Sequence, residues 1–262
     1  MYSLPTIYVG YDRRDGEAYK VLVESILDRT SHPVNIIPIY QEEMRRIGFY
    51  RRTHRIGKDL VSIDTLDKKP FSTAFSFTRF LVPFLNRHQG QALFMDCDML
   101  VRSDIMEVFD YGLANDKAIW CVQHNHSPTD KFKMDNMIQS QYSRKNWSSF
   151  VLWNCEHEAH KYFTIDDVNL RTGWYLHNFK WIPDNEIGSL PEEWNWLDNH
   201  SSPNIEPKNV HFTTGGPWFD SWTVKTVDDG KYALEWNYIY TAITVEESLG
   251  KEKNIKWKKE LT

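Results

Sequence analysis

The run Ala92-Leu93-Phe94-Met95-Asp96-Cys97-Asp98-Met99-Leu100 constrains this chain more than any other stretch. It reads as an apolar strand that delivers two carboxylates at its end. Side chains alternate along a strand, so Asp96 and Asp98 point one way and Cys97 the other. Two hard oxygen donors at the end of a buried strand, followed by a turn and the helix-start signal Ser103-Asp104, suit Mg²⁺ or Mn²⁺ bridged to substrate phosphate oxygens. The rival reading is a pair of solvated loop acids.

The surrounding pattern is that of an alternating α/β sheet. Ile7–Val9 reads as a short apolar strand. Glu17–Leu27 has apolar residues 18, 21, 22 and 26 at helical spacing, stopped by Ser31-His32-Pro33. Val34–Ile39 returns as a strand, a second helix precedes the strand ending at Asp96, and Ala118–Gln123 and Phe150–Trp153 read as further strands. Ligands in such sheets bind outside the carboxyl ends of the strands, where Asp12 and the Asp96-Cys97-Asp98 run both fall. The first part of the chain would then hold a nucleotide, and residues 124–222 the sugar and acceptor side.

His211, in Val210-His211-Phe212-Thr213-Thr214-Gly215-Gly216-Pro217-Trp218, ends a short apolar strand before a Gly-Gly turn. It completes a carboxylate, carboxylate and imidazole set that suits Mn²⁺. With this stretch the chain resembles glycosyltransferase family 8, which includes glycogenin and the lipopolysaccharide galactosyltransferases. The resemblance implies a GT-A fold, a single Rossmann-like mixed sheet flanked by helices. Ile7-Tyr8-Val9-Gly10-Tyr11-Asp12 looks like the family's first strand, which implies that Tyr11 and Asp12 lie against the uracil of a UDP-sugar. Ser72 through Pro83 is similar to the helix whose arginine, here Arg79, lies by the donor. Leu190-Pro191-Glu192-Glu193-Trp194-Asn195 matches the segment that precedes the metal histidine. The matches run in order over about residues 5–222.

The departures from that family matter as much. A lysine usual before the final Pro-Trp is Gly216 here, so the resemblance leaves Gly215, Gly216, Trp218, Arg79 or a basic residue elsewhere to meet the donor diphosphate. The family's Asn-Ala/Ser-Gly is degraded to Asn146-Trp147-Ser148-Ser149, and its Asp-Gln-Asp-x-Leu-Asn to Thr164-Ile165-Asp166-Asp167-Val168-Asn169. Asp166 or Asp167 is then the sugar-facing catalytic acid, with Asp184 as a rival. Thr164 and Asp167 read equally well as a helix N-cap with acids in the first turn. The tryptophans in the acceptor half read first as core packing, and Trp218 and Trp181, beside motif residues, are better candidates for ligand contact than the rest.

A formal charge of −5 over 262 residues argues against nucleic acid as a partner. Basic residues do gather at Arg45, Arg46, Arg51, Arg52, Arg55 and Lys58, either as a solvated loop or as a flap over an anionic ligand. Cys97, Cys121 and Cys155 form neither a disulfide framework nor a zinc pattern, which points to a reducing compartment. With no signal segment at the start and no apolar run of the ~18 residues that would span a bilayer, the expectation is a cytoplasmic protein without a transmembrane segment. The Lys-rich stretch 251–259 leaves room for peripheral membrane contact. Nothing in the sequence fixes an oligomeric state.

The chain therefore divides into a GT-A-like domain over residues 1–222 and a C-terminal helical and basic extension over 223–262. The resemblance implies metal-dependent transfer of a hexose from a UDP-sugar to a carbohydrate or glycoconjugate acceptor hydroxyl, with retention of configuration. Asp96, Asp98 and His211 would be the metal ligands. Two rivals follow from the same residues. A haloacid-dehalogenase-like phosphatase also places Asp-x-Asp after an apolar strand, although Met99 and the position past residue 90 count against it. A catalytically silent nucleotide-sugar-binding protein would account for the missing lysine.

Overall fold

The computed structural model of the chain describes residues 4–57, 62–114, 116–124, 144–219 and 231–250. Its first half contains β1 (Thr6–Gly10), α1 (Gly16–Arg29), β2 (Asn35–Ile39), α2 (Gln41–Arg46), β3 (His54–Ile56), β4 (Ser62–Asp64), β5 (Pro70–Phe71), α3 (Val82–Leu85), β6 (Gln91–Asp96) and β7 (Met99–Val101). There follow α4 (Met106–Asp110), β8 (Ile119–Val122), β9 (Phe150–Asn154), α5 (Ile165–Leu170), α6 (Gly173–His177), β10 (Ile187–Leu190), β11 (Trp196–Leu197), β12 (Asn209–His211) and α7 (Lys231–Ser248). Six strands form one mixed sheet in the order β10, β8, β9, β6, β1, β2. β1 runs parallel to β2 and β6, while β9 is antiparallel to β6 and β8. The expected α/β sheet is thus present, and β6 lies in its interior with both neighbours paired.

Register decides where the loops emerge. Gly10 stands opposite both Ile39 and Asp96, so β1, β2 and β6 end level and the loops after them leave from one edge. α1 buries Ala18, Val21, Leu22, Ser25 and Ile26, which includes all four apolar positions read from the sequence. The segment around Arg79 differs from the expected helix. Thr78–Leu81 is a 3₁₀ turn that gives way to the short α3. Pro83 lacks an N–H and is tolerated only in the first turn of a helix, so a new helix starts there instead of one continuing through it.

Two further sheets flank the main one. β11, β12 and β7 form one, with β12 antiparallel to β7. β3, β4 and β5 form the other, and a buried ion pair fixes it. Arg52 donates to both carboxylate oxygens of Asp64 at 2.9 and 2.8 Å, each side chain about 1% exposed. Arg52 also donates to the carbonyls of Val168 and Arg171 and lies 3.9 Å from the centroid of Phe77. A buried charge is tolerable only with its hydrogen bonds satisfied, and here those bonds tie β4 to α5. Other arginines of the basic cluster also have partners in the protein. Arg45 donates to the Arg52 carbonyl, Arg46 pairs with Glu43 and Arg51 with Asp166; Lys58 lies outside the described residues.

α7 packs on α1. Tyr232, Trp236 and Ile239 join Val21, Leu100, Val210 and Phe212 in a second apolar cluster, and Glu235 accepts from Arg29 and Arg102. The Lys-rich stretch 251–259 lies outside the described residues. Among the described residues no helix is long and apolar enough to cross a membrane. Cys97, Cys121 and Cys155 are free and buried.

His160, fully buried, places Nε2 3.1 Å from the Ala118 carbonyl and accepts from Trp181 Nε1 at Nδ1. Burial holds its pKa down at about 4. The folded ring is therefore neutral where an unfolded one takes up a proton, so stability is fully present above about pH 6.5 and falls as pH drops towards 4. His160→Gln should reduce the pH dependence of unfolding between pH 6.5 and 4.5 by up to about 1.4 kcal/mol per pH unit, measured by urea denaturation; parallel curves for both proteins would show that His160 does not titrate.

Candidate functional site

Asp96 is the last residue of β6 and Asp98 follows it in the turn to β7. Arg79, about 7% exposed, grips Asp96 at 2.9 and 3.3 Å. Its guanidinium lies 5.2 Å from the ring centroids of both Phe75 and Phe94 and donates to the Ser148 carbonyl. The arginine therefore acts first on Asp96, fixing the orientation of its carboxylate. The antiparallel pairing of β7 with β12 sets His211 opposite Met99, and Phe212 N–H donates to the Asp98 carbonyl at 2.9 Å. These bonds carry the imidazole to Asp98. Nε2 of His211 lies 3.4 Å from Asp98 Oδ1, and ligand atoms of Asp96, Asp98 and His211 all lie within 4.8 Å of one another.

Asn195 decides what the imidazole presents. Its Nδ2 donates to the Asn146 carbonyl and to Ser149 Oγ, which turns Oδ1 towards His211 Nδ1 at 2.9 Å. Oδ1 can only accept, so Nδ1 is the nitrogen that donates to it and Nε2 is the one turned to the Asp98 carboxylate. Nε2 and the two carboxylates are placed where one cation could take all three as ligands. Carboxylate, carboxylate and oriented imidazole match the donor preferences of Mn²⁺, and the Asn195 contact is the usual outer support of a ligating histidine. The residues present fit a divalent metal.

The triad opens onto a cleft. Its lining includes Arg79, Ser148, His177, Phe77, Trp174 and Lys69. His177, half-buried, packs against Phe77 and Phe80 and exchanges a hydrogen bond with Ser148 Oγ. Burial, then the charges of Arg79 and Lys145, push its pKa well down, so it stands neutral. A narrower pocket shares Asp98, Ser72 and Thr73 with the cleft and continues to Arg14, Asp15, Gly215 and Trp218. Asp15 was not legible as a site residue. It is buried, accepts from Trp218 Nε1 at 2.9 Å, and has its pKa lifted to about 7 by burial and by the nearby Asp98 and Asp12 carboxylates.

The residues implied by the resemblance fall into separate groups. Asp96, Asp98, His211 and Arg79 converge. Gly215 and Trp218 line the adjoining pocket. Tyr11, at the end of β1, packs edge-on against Tyr19 and Tyr40. Asp12 accepts from Arg14, through both backbone and guanidinium, and from Ala74 N–H. Burial raises its pKa, but these donors outweigh burial and hold the carboxyl below its usual range. Asp166, Asp167 and Asp184 do not line the cleft. Asp166 is exposed and paired with Arg51, and Asp184 is exposed and paired with Arg144. Asp167 closes a capping box with Thr164 and pairs with Arg171. Trp181 stacks on Phe163 at 4.0 Å within the core, so packing, the first reading for that tryptophan, describes its surroundings.

With this geometry in view, the chain was compared with known proteins. Protein CDI of Arabidopsis thaliana is 47% identical over 222 residues, 82% of this chain and 80% of that one. The chain belongs to the same family as Protein CDI. No profile of a characterised protein family matches it. Among solved structures it resembles the glycosyltransferase GlyE of Streptococcus pneumoniae TIGR4 (TM-score 0.54, 13% identity, 94% of this chain and 64% of that one). It also resembles the galactosyltransferase LgtC solved with donor and acceptor sugar analogues (0.54, 12%, 94% and 99%) and the bifunctional WbbM (0.51, 14%, 81% and 46%). The chain thus spans less than half of WbbM and just under two thirds of GlyE. The shared fold is that of the GT-A glycosyltransferases.

Gly216 takes on a different meaning in this geometry. A Cβ there would come within 2.2 Å of the Trp218 indole, the ring that also donates to Asp15. The position is small so that Trp218 can fold back over it. Gly216→Val and Gly216→Lys should both destabilise the protein by about 1–3 kcal/mol, measured by urea denaturation, and a Gly216→Lys protein as stable as the parent would refute the steric account.

Proposed function

We propose that the chain is a metal-dependent, retaining hexosyltransferase of the family 8 type that uses a UDP-sugar and the hydroxyl of a carbohydrate or glycoconjugate acceptor. The observation that carries this reading is the Asp96, Asp98 and His211 triad, with the imidazole Nε2 aimed by Asn195, at the mouth of a cleft in a GT-A fold. Asp96, Asp98 and His211 would hold Mn²⁺ or Mg²⁺. When bound, such an ion supplies positive charge to the diphosphate leaving group. The chain's own residues do the rest. Arg79 keeps the Asp96 carboxylate in position, and Asn195 keeps His211 in its ligating tautomer. We assign the nucleotide to the carboxyl ends of β1 and β2, beside Tyr11, with Asp12 ordering the adjacent loop through Arg14 and Ala74. The narrower pocket with Arg14 and Gly215 leads from there to the triad, and Arg14 is its cation where the family's lysine is missing. The cleft beyond would take the sugar and the acceptor. We further propose that residues 1–222 form the catalytic domain, with the segment from 223 supporting it through α7.

The test is UDP release from a panel of UDP-sugars with Mn²⁺. Asp98→Ala should abolish Mn²⁺-dependent UDP binding with the fold retained, and Asn195→Ala should weaken Mn²⁺ affinity about 10- to 100-fold, both read by calorimetry. Unchanged Mn²⁺ affinity in Asp98→Ala would end the metal assignment. Phosphate release from phosphate monoesters would instead favour the phosphatase, and tight UDP-sugar binding without turnover the silent binding protein.

A further inference from the structure

One wall of the cleft is built from the β4–β5 turn and the start of α6, and it is unusually well anchored. Asp67 in the turn accepts from the Gly173 N–H at 2.9 Å and from the Lys69 N–H at 3.0 Å. Thr172 caps α6 by accepting from Tyr175 N–H. Behind the wall stands the Arg52–Asp64 pair, its guanidinium on the Phe77 ring. The backbone that carries this wall is therefore held in place before any ligand arrives.

Two of them have no structural task that accounts for their position. Trp174 lines the cleft and is 49% exposed, whereas Trp153, Trp194 and Trp236 are buried and Trp218 is tied to Asp15. Its contact with a cation is to Lys180, 5.1 Å from the ring centroid, and half its surface stays open. Lys69 also lines the cleft, is exposed, and among the described residues has no ion-pair partner. Among the described residues none of the acids of the cleft forms an ion pair with it. Asp96 faces Arg79, Asp98 faces His211, and Asp67 accepts backbone N–H groups. An open indole suits the C–H face of a pyranose, and an adjacent ammonium suits an acid group on that ring.

We propose that Trp174 and Lys69 form an acceptor subsite for a pyranose that carries an acid group, either a uronate carboxylate or a sugar phosphate. The assignment rests on the glycosyltransferase reading above and names its acceptor class. The probes are methyl glucuronide, glucose 6-phosphate and neutral methyl glucoside, titrated into the full chain by saturation-transfer NMR. UDP with Mg²⁺ is titrated separately by calorimetry. At least one acidic sugar should bind tenfold or more tightly than methyl glucoside, and which of the two does so identifies the acid. Lys69→Ala should remove that preference, and Trp174→Ala should weaken all three sugars tenfold or more, with Trp174→Phe recovering part of the loss. Equal binding of neutral and acidic sugars, or parental affinity in either alanine variant, would overturn the subsite. If Trp174→Ala melts early, Lys69→Ala, on an exposed side chain, decides. A parent protein that binds UDP and neither acidic sugar rejects the subsite alone, whereas one that binds acidic sugars without UDP rejects the transferase reading and the acceptor role with it.

Discussion

The pairing of β7 with β12 is the constraint on which the site depends. β6 ends in a buried carboxylate, and the chain then reverses into β7, a strand that belongs to a different sheet. Only β12, pairing antiparallel with β7, brings an imidazole back to that reversal. The arrangement places two acids and a histidine together with little water, which is unfavourable unless each is held. Arg79 holds Asp96, and Asn195 fixes the tautomer of His211. Both supporting residues are themselves bound to the 146–149 segment, so one loop steadies both sides of the triad.

Much of this was legible in the sequence because it follows from local pattern. The apolar run before Asp96, the helical spacing of residues 18 to 26 and the short strand before His211 are periodicity signals, and the sheet is built from them. The ordered motifs gave the GT-A fold. Other features were set by tertiary contact. Nothing around Asp15 in the sequence shows that Trp218 will donate to it, since the two meet only after α1 and the end of the 211–219 segment pack together. Neutral His177 is likewise a product of burial. Gly216 could be read as an opening for backbone near an anion, but its neighbour two residues on is what fills the space. The Thr164–Asp167 capping box shows the opposite case, a local signal whose capping bonds are present in full.

Charge is organised differently in the two halves of the molecule. The arginines between β2 and β4 read in sequence as a solvated loop or an anion-binding flap; the partners of Arg45, Arg46, Arg51 and Arg52 are carbonyls, carboxylates and rings of the protein itself. Arginine suits this task because its planar fork can satisfy several acceptors at once while its face lies on an aromatic ring. Lysines, by contrast, stand at the cleft, where Lys69 and Lys145 are part of the lining.

The distance along the chain between the two halves of the triad has a kinetic consequence. β8, β9 and β10 all lie in sequence between Asp98 and His211, and β12 needs β7 already in place to pair with. Contacts of such separation form only after the loop-closure entropy of the intervening chain has been met, and they slow folding. β1, β2 and β6, drawn from the first part of the chain, can assemble on their own edge before residue 211 is available. Metal affinity would then arise late, as the closing event of the folding reaction, and its appearance during refolding would mark the moment at which the chain has threaded its last strand beside its seventh.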